Sequence, residues 1–165
     1  MIQNILKTSI YKGKIEEPIL NKSIMTMVND CIHTKNFRIE SNHGGLQTNK
    51  YDAKVNEKLS IKILEECAKY IDTLQKKKQF KITLNGFWIN MNMKNHFNIE
   101  HMHYNYQNKF SGIWYVQCGK GSGNLVFRGR DDFVPVSQLD QYFDDDFTNE
   151  YEIEPEPNDF ILFPS

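Results

Sequence analysis

The chain has few cysteines, and none of them lies at a spacing typical of a redox or zinc motif. Cys31, Cys67 and Cys118 are widely separated, and no Cys-x-x-Cys pair occurs among the 165 residues. An odd, scattered set favours buried, reduced thiols in a cytosolic setting over a redox role.

The sequence also lacks an excess of basic charge and a long apolar run. Lys and Arg number 20 against 21 Asp and Glu, and the formal net charge is -1. This balance excludes the electrostatic footprint of a nucleic-acid-binding protein. No apolar run approaches the roughly 20 residues that span a bilayer, and the first residues lack signal-peptide anatomy. We therefore expect a cytoplasmic protein with neither a membrane nor a nucleic acid as partner.

What is present is the composition of a folded globular chain. Hydrophobic residues make up 39% and charged residues 25%, and the mean hydropathy is -0.60. A chain of 165 residues can bury one substantial core but is short for two ordinary domains. We predict a single domain over residues 1–165 and make no prediction of its oligomeric state.

The first half of the chain carries the helical patterns. A short strand is expected from Ile5 to Tyr11. Asn21 can cap a helix over Lys22–Thr34, and apolar residues at three- and four-residue steps predict a longer helix from Val55 to about Lys77. His33 lies at the end of the first helix, where a cation suits the helix dipole.

From Phe80 the apolar period changes to two, which indicates strands. One or two are expected over 80–93, and further strands at 97–103, 110–117, 124–128, 150–154 and 159–164. Helices followed by antiparallel strands predict an α+β fold with a curled sheet or barrel. The acidic and aromatic connection over 129–149 is either a lid over a site or a solvated excursion.

A glycine pair marks the segment Ser41-Asn42-His43-Gly44-Gly45-Leu46-Gln47-Thr48 as a loop. Paired glycines allow close backbone approach or positive φ, so this loop either borders a pocket or is a plain tight turn. His43 has no partner at metal-binding spacing.

The strongest candidate for chemistry is the pair His101 and His103. Two residues two apart on a strand point to the same face, so one metal ion can contact both imidazoles. Neutral imidazole suits Fe, Zn, Cu and Ni. Glu100 points the opposite way in a regular strand and is a poor ligand candidate. Taken alone, such a pair is also compatible with surface or packing histidines.

Five motifs in order extend this observation along nearly the whole chain. They are the Ser-Asn-x-Gly-Gly-x-Gln loop at 41–47, Phe-Trp-Ile-Asn at 87–90, His-x-His at 101–103 with Ser-Gly-Ile-Trp-Tyr-Val at 111–116, Gly-Asn-Leu-Val-Phe at 123–127, and the closing segment 157–165, with Asp159 where glycine is usual. Together they resemble the 2-oxoglutarate and Fe(II)-dependent oxygenases found in marine bacteria and cyanophages.

The resemblance implies a double-stranded β-helix, that is, a cupin-like jelly roll, with the N-terminal helices packed on its sheet. It implies Fe(II) and 2-oxoglutarate as cofactors, and an O2-dependent dioxygenase that hydroxylates an unidentified substrate, in the host cytoplasm if a phage encodes the chain. By position, His101 is the first metal ligand and His103 takes the place of the usual carboxylate. Asn90, Ser111 and Tyr115 are the candidates for the co-substrate pocket.

The resemblance departs at the end of the sequence. In the family, the Phe-Pro-Ser segment is followed by the distal metal histidine and then by a basic residue that binds 2-oxoglutarate, whereas the sequence stops at Ser165. We therefore expect a truncated or degenerate chain, with an exposed apolar sheet edge at 160–163.

Two alternatives stay open at this point. One is a cupin-like metalloenzyme that uses His101 and His103 without 2-oxoglutarate. The other is a non-catalytic β-sandwich binding module, in which the histidines are structural and the acidic 129–149 segment is the contact surface.

Overall fold

The fold is a mixture of helices and small antiparallel sheets, as the sequence predicts. The computed structural model describes residues 9–74, 79–101, 108–128 and 150–165. The elements in chain order are β1 (Tyr11–Lys14), α1 (Pro18–Thr34), β2 (Phe37–Arg38), β3 (Asn42–His43), β4 (Leu46–Thr48), a 3₁₀ turn (Ala53–Asn56), α2 (Glu57–Asp72), β5 (Asn90–Met91), β6 (Phe97–Asn98), β7 (Phe110–Trp114), β8 (Leu125–Arg128), β9 (Glu150–Ile153) and β10 (Asp159–Pro164).

These elements fall into two compact units. The larger unit extends to Val116 and includes Asn158–Ser165, and it contains both helices and the sheets β1-β10-β7, β2-β4-β5 and β3-β6. The smaller unit, Gln117–Pro157, contains the antiparallel pair β8-β9. The single domain over residues 1–165 stays a prediction. The first strand from Ile5 and the role of the 129–149 segment also stay predictions, because residues 1–8 and 129–149 lie outside the described residues.

Helix α1 begins four residues earlier than predicted, at Pro18 rather than Lys22. Proline suits the first helical position because the missing N–H has no partner there in any case. Asn21 is therefore not the cap. Its side chain instead donates a hydrogen bond of 2.9 Å to Oδ1 of Asn158, at the start of the closing segment.

Helix α2 packs against the sheet that contains β10. The Asn56 side chain caps the helix by accepting a hydrogen bond from the Leu59 N–H at 3.1 Å. Near the other end of the helix, Tyr70 and Ile71 form a buried cluster with β-strand residues Phe160 and Leu162. The apolar face that the sequence predicts for this helix is therefore the face that packs on the sheet.

The apolar strand near the end of the sequence is buried, so the predicted exposed edge at 160–163 is wrong. Strand β10 lies between β1 and β7, with Leu162 opposite Tyr11 and Phe163 opposite Ser111. Phe160, Ile161 and Leu162 are at most 3% exposed. The sequence analysis missed this because pairing with β1 joins residues about 150 positions apart.

Strands occur between the two helices, where only a loop was predicted. β2 pairs with β4, and β4 pairs with β5. In contrast, among the described residues the predicted strand over 80–93 pairs through β5, through an isolated bridge from Phe87 to Tyr51, and through a hydrogen bond of 2.9 Å from the Thr48 N–H to the Ile89 carbonyl. The Ile89 N–H donates to the Thr48 hydroxyl at 3.0 Å, rather than to a backbone carbonyl as it would in a regular strand pair.

Two further sequence-based expectations concern the cysteines and the membrane. All three cysteines are free thiols, as predicted. Within the described ranges, neither helix has the length and apolar character needed to cross a bilayer.

Candidate functional site

An open cleft of about 390 Å³ in the larger unit contains the first of the two predicted metal ligands. We refer to it as the His101 cleft. Its lining combines a cation, a carboxylate, polar side chains, an imidazole and two apolar side chains, namely Arg38, Glu40, Ser41, Gln47, Trp88, Ile99 and His101. The volume lies at the small end of the range for small-molecule sites.

The glycine-pair loop forms one wall of this cleft. Ser41 and Gln47, near its two ends, are lining residues. Between them Asn42 is only 4% exposed and closes the bend with its side chain, which accepts from the Glu40 N–H at 2.8 Å and donates to the Gly45 carbonyl at 2.6 Å. Of the two interpretations of this loop, the structure supports the one in which it borders a pocket.

The two glycines are required because the chain passes very close to its neighbours. Gly44 has a φ of +77°, and a Cβ there would lie 2.7 Å from Cδ2 of His96. A Cβ on Gly45 would lie 3.0 Å from the Met91 carbonyl oxygen and would overlap Oδ1 of Asn92. Any side chain at these positions would displace the wall of the cleft.

His101 lies within its predicted strand over 97–103 but beyond the end of the observed strand β6. β6 covers only Phe97–Asn98, and the last hydrogen bond to the neighbouring segment runs from the Ile99 N–H to the Ser41 carbonyl at 2.7 Å. The predicted strand over 97–103 is therefore shorter in the described residues. The Asn42 side chain stabilises a bend at Glu40, next to Ser41, whose carbonyl accepts from Ile99.

The His101 imidazole is oriented by the backbone of its own segment. Its Nδ1 lies 2.8 Å from the carbonyl oxygen of Ile99. A carbonyl oxygen only accepts, so in the neutral ring Nδ1 carries the proton and the lone pair is on Nε2. Metal-binding histidines commonly have this arrangement, with one ring N–H donated to a carbonyl and the other nitrogen turned to the metal.

The other predicted ligand cannot be placed beside it, since His103 lies outside the described residues. Within those residues no group of three or more His, Cys, Asp or Glu side chains forms a metal site. The part of the chain that is described thus supplies one oriented imidazole and no complete set of metal ligands. His43 stacks on Phe97 with ring centroids 4.8 Å apart, which is a packing role.

Arg38 and Glu40 lie in the cleft, and the sequence analysis missed both. Arg38 on β2 pairs in register with Gln47 on β4. Its Nη1 lies 3.4 Å from Oε1 of Glu40. Its Nε is buried and has no hydrogen-bond partner among the described residues. The available signal was proximity in sequence, because Arg38 precedes the Ser-Asn-x-Gly-Gly-x-Gln motif by only three residues.

The three predicted co-substrate residues are divided between two sheets. Asn90 on β5 is in register with Gln47, so the two side chains extend from the same face of the β2-β4-β5 sheet. Ser111 and Tyr115 belong to the segment of β7. The Ser111 hydroxyl shares a hydrogen bond of 2.8 Å with the Ser165 hydroxyl, and Tyr115 bonds through its backbone to Asp159. None of the three is among the described lining residues of the His101 cleft.

Trp88 is a further lining residue that the sequence analysis did not identify as functional. It is 38% exposed and lies two positions before Asn90 in the Phe-Trp-Ile-Asn segment. The period of two along an extended chain places residues 88 and 90 on one side. That alternation was the signal that would have connected Trp88 with the candidate co-substrate residue.

Comparison with known proteins identifies the second half of the chain. Residues 86–165, which include His101, match the sequence model of the family described as "Putative 2OG-Fe(II) oxygenase". No curated protein matches the chain, and no solved structure matches it. Over residues 86–165, just under half of its length, the chain is therefore similar to the 2OG-Fe(II) oxygenase family.

Proposed function

We propose that the protein is an Fe(II)- and 2-oxoglutarate-dependent dioxygenase that oxidises a small molecule at the His101 cleft. The observation that carries this proposal is the position of His101, which lies within the family match and lines the cleft with its imidazole oriented. The proposed fold around it is the double-stranded β-helix that the family implies, built from the antiparallel strands of the α+β fold.

In this proposal His101 binds Fe(II) through Nε2, and His103 supplies a second imidazole. When bound, Fe(II) and 2-oxoglutarate supply the O2-dependent oxidation of a C–H bond. Asn90, Ser111 and Tyr115 keep the role in co-substrate binding that the resemblance assigns to them. Of these, Asn90 has the best support, because its strand partner Gln47 lines the cleft.

The other lining residues position the reactants. The Ile99 carbonyl fixes the ring orientation and tautomer of His101. The Ile99 side chain, which is 52% exposed, contributes apolar surface to the cleft. Trp88 contributes a flat apolar surface of the same kind. When a substrate covers these surfaces, water is displaced from the cleft, and the electrostatic interactions within it become stronger.

The test is turnover of 2-oxoglutarate. Purified protein is incubated with Fe(II), 2-oxoglutarate and O2, and succinate is quantified beside a metal-free control. Slow uncoupled turnover without substrate is sufficient for the measurement. The proposal predicts Fe(II)-dependent succinate formation that His101→Ala abolishes and His33→Ala leaves intact.

The succinate assay, combined with a measurement of Fe(II) binding, separates the two alternatives. A cupin-like enzyme that does not use 2-oxoglutarate binds the metal through His101 but forms no succinate. A non-catalytic binding module neither binds the metal through His101 nor forms succinate. Either result overturns the proposal. The family match favours neither alternative.

A further inference from the structure

We infer that Arg38 is a specificity-determining residue of the His101 cleft, which binds a carboxylate on a substrate that also has an apolar part. The inference names the substrate class for the proposed function and rests on that function. It depends on three observations in the described part of the chain, which concern the Arg38 guanidinium, its neighbour Glu40 and the apolar surface of the cleft.

The Arg38 guanidinium has hydrogen-bonding capacity that the described residues do not use. Arginine is always charged and presents five N–H donors. The ion pair of Arg38 with Glu40 involves Nη1 at 3.4 Å, whereas the buried Nε lacks a hydrogen-bond partner among the described residues. A buried donor of a permanent cation is costly to leave unsatisfied. Since this atom has almost no exposed surface, an acceptor in the cleft reaches it only when the guanidinium turns away from Glu40, and the hydrogen bond then formed removes this cost.

The geometry of a guanidinium selects the acceptor. The Nε–H and one Nη–H point in parallel from the same edge of the group, and a carboxylate accepts both at once. Arg38 also lies at a fixed register on β2, opposite Gln47, which is only 3% exposed. The backbone that presents the cation is therefore held by the sheet, which favours a defined binding geometry.

Glu40 competes for the same cation. Its carboxylate lies near Nη1 at the length of a loose ion pair, and its side chain is 55% exposed. Such a pair contributes little stability and is readily exchanged for another acceptor. A ligand carboxylate that displaces Glu40 forms the ion pair with the Arg38 guanidinium in its place, and the Glu40 carboxylate is then solvated by water.

The apolar lining distinguishes a substrate from a small polar acid. Trp88 and Ile99 are 38% and 52% exposed and both line the cleft. Their surfaces are covered only by a ligand with a hydrocarbon or aromatic part. The cleft of about 390 Å³ accommodates such a group beside the carboxylate.

The experiment is a calorimetric titration of the full chain, free of metal, with a matched ligand pair. 3-Phenylpropanoate carries both required parts, whereas 3-phenylpropanamide keeps the apolar part but lacks the negative charge and the second acceptor oxygen. The inference predicts that the amide binds at least about 10-fold more weakly, since hydrogen bonds to a charged group are lost. Because no Fe(II) is present, failure here is separate from failure of the oxygenase proposal, which the succinate assay tests.

Variants locate the effect at Arg38. Arg38→Gln should weaken 3-phenylpropanoate binding about 10- to 100-fold, and Arg38→Lys should fall between it and the unmodified chain. Glu40→Gln should strengthen binding by removing the competing charge. Arg128→Gln is the matched control, because Arg128 pairs with Glu150 on β9 and is not a described lining residue.

The inference is overturned by any of four results. The acid and the amide bind equally, or neither binds. Arg38→Gln and Arg128→Gln have the same effect. Glu40→Gln weakens binding as much as Arg38→Gln does, which would show a structural effect on the loop. Finally, when 2-oxoglutarate is titrated in the same way, it alone binds in an Arg38-dependent manner, which would assign Arg38 to the co-substrate.

Discussion

The carboxylate of Asp159 lies 2.9 Å from Nζ of Lys12, although the Asp159 side chain is fully buried and that of Lys12 is 43% exposed. A second lysine on β1, Lys14, lies 3.8 Å from the other carboxylate oxygen. Two half-exposed cations on β1 therefore compensate one buried anion on β10. Asp159 stands at a position where the family that the sequence resembles usually has glycine.

Removal of both lysines should destabilise the fold more than the sum of the single changes. Lys12→Met or Lys14→Met leaves one cation near Asp159 and should cost about 1 kcal/mol or less. The double variant removes both described cations from a buried carboxylate and should cost about 3–5 kcal/mol. Urea unfolding measures the difference, with Lys58→Met on α2 as an exposed control. Additive effects of the two changes would contradict the assignment.

The wall of the His101 cleft should not tolerate a methyl group at Gly45. A Cβ there meets the Met91 carbonyl at 3.0 Å, and a backbone atom in a sheet moves little. Gly45→Ala should cost about 1–3 kcal/mol of unfolding free energy. Gly119→Ala, whose Cβ meets only Ser122 at 3.8 Å, is the control. Equal thermal stability of the two variants would show that the loop adjusts freely.

The Cys67 thiol should be unreactive near neutral pH. Burial, followed by the nearby Glu66 carboxylate, raises its pKa from 9.0 to about 11. At pH 8 only about one thiol in a thousand is then the reactive thiolate. Iodoacetamide labelling followed by peptide mass spectrometry should detect much slower modification of Cys67 in the folded protein than in guanidinium. Similar rates in both states would contradict the burial of this thiol.

The same pKa shift determines a pH dependence of stability. The folded pKa of Cys67 lies above the unfolded value, so between about pH 9 and 11 the folded state binds more protons than the unfolded state. The contribution of the Cys67 thiol to folding stability is therefore fully present below pH 9 and is lost as the pH rises toward 11. Cys67→Ala should show a shallower decline over this window. Identical slopes would show that other groups, such as Tyr11, account for the decline.

The sequence predicted the local elements well where the pattern itself determines them. Both helices follow from their apolar stripes, and β8 and β10 lie within a residue of the expected bounds, because apolar period and turn residues are local properties. The position of β10 between β1 and β7 was not predictable, since it depends on pairing between distant segments.

The candidate site was predicted only in part for the same reason. His101 and the glycine-pair loop were recognisable as motifs, and the structure brings them to one cleft. Arg38 belongs to no motif, and it enters the cleft only because β2 pairs with β4. Ser111 lies on β7, whereas Tyr115 follows Trp114, the last residue of that strand. Their role in binding the co-substrate stays a prediction, as do the cytoplasmic location and the marine or phage origin.

The central claim is that His101 is a ligand of Fe(II), and the most direct test is an anaerobic calorimetric titration with Fe(II). The unmodified chain, His101→Ala and His33→Ala are compared, the last because His33 is an exposed histidine in the final turn of α1. The account predicts one Fe(II) site in the unmodified chain and in His33→Ala, and loss of that site in His101→Ala. Equal Fe(II) binding by the His101→Ala variant and the unmodified chain would contradict it.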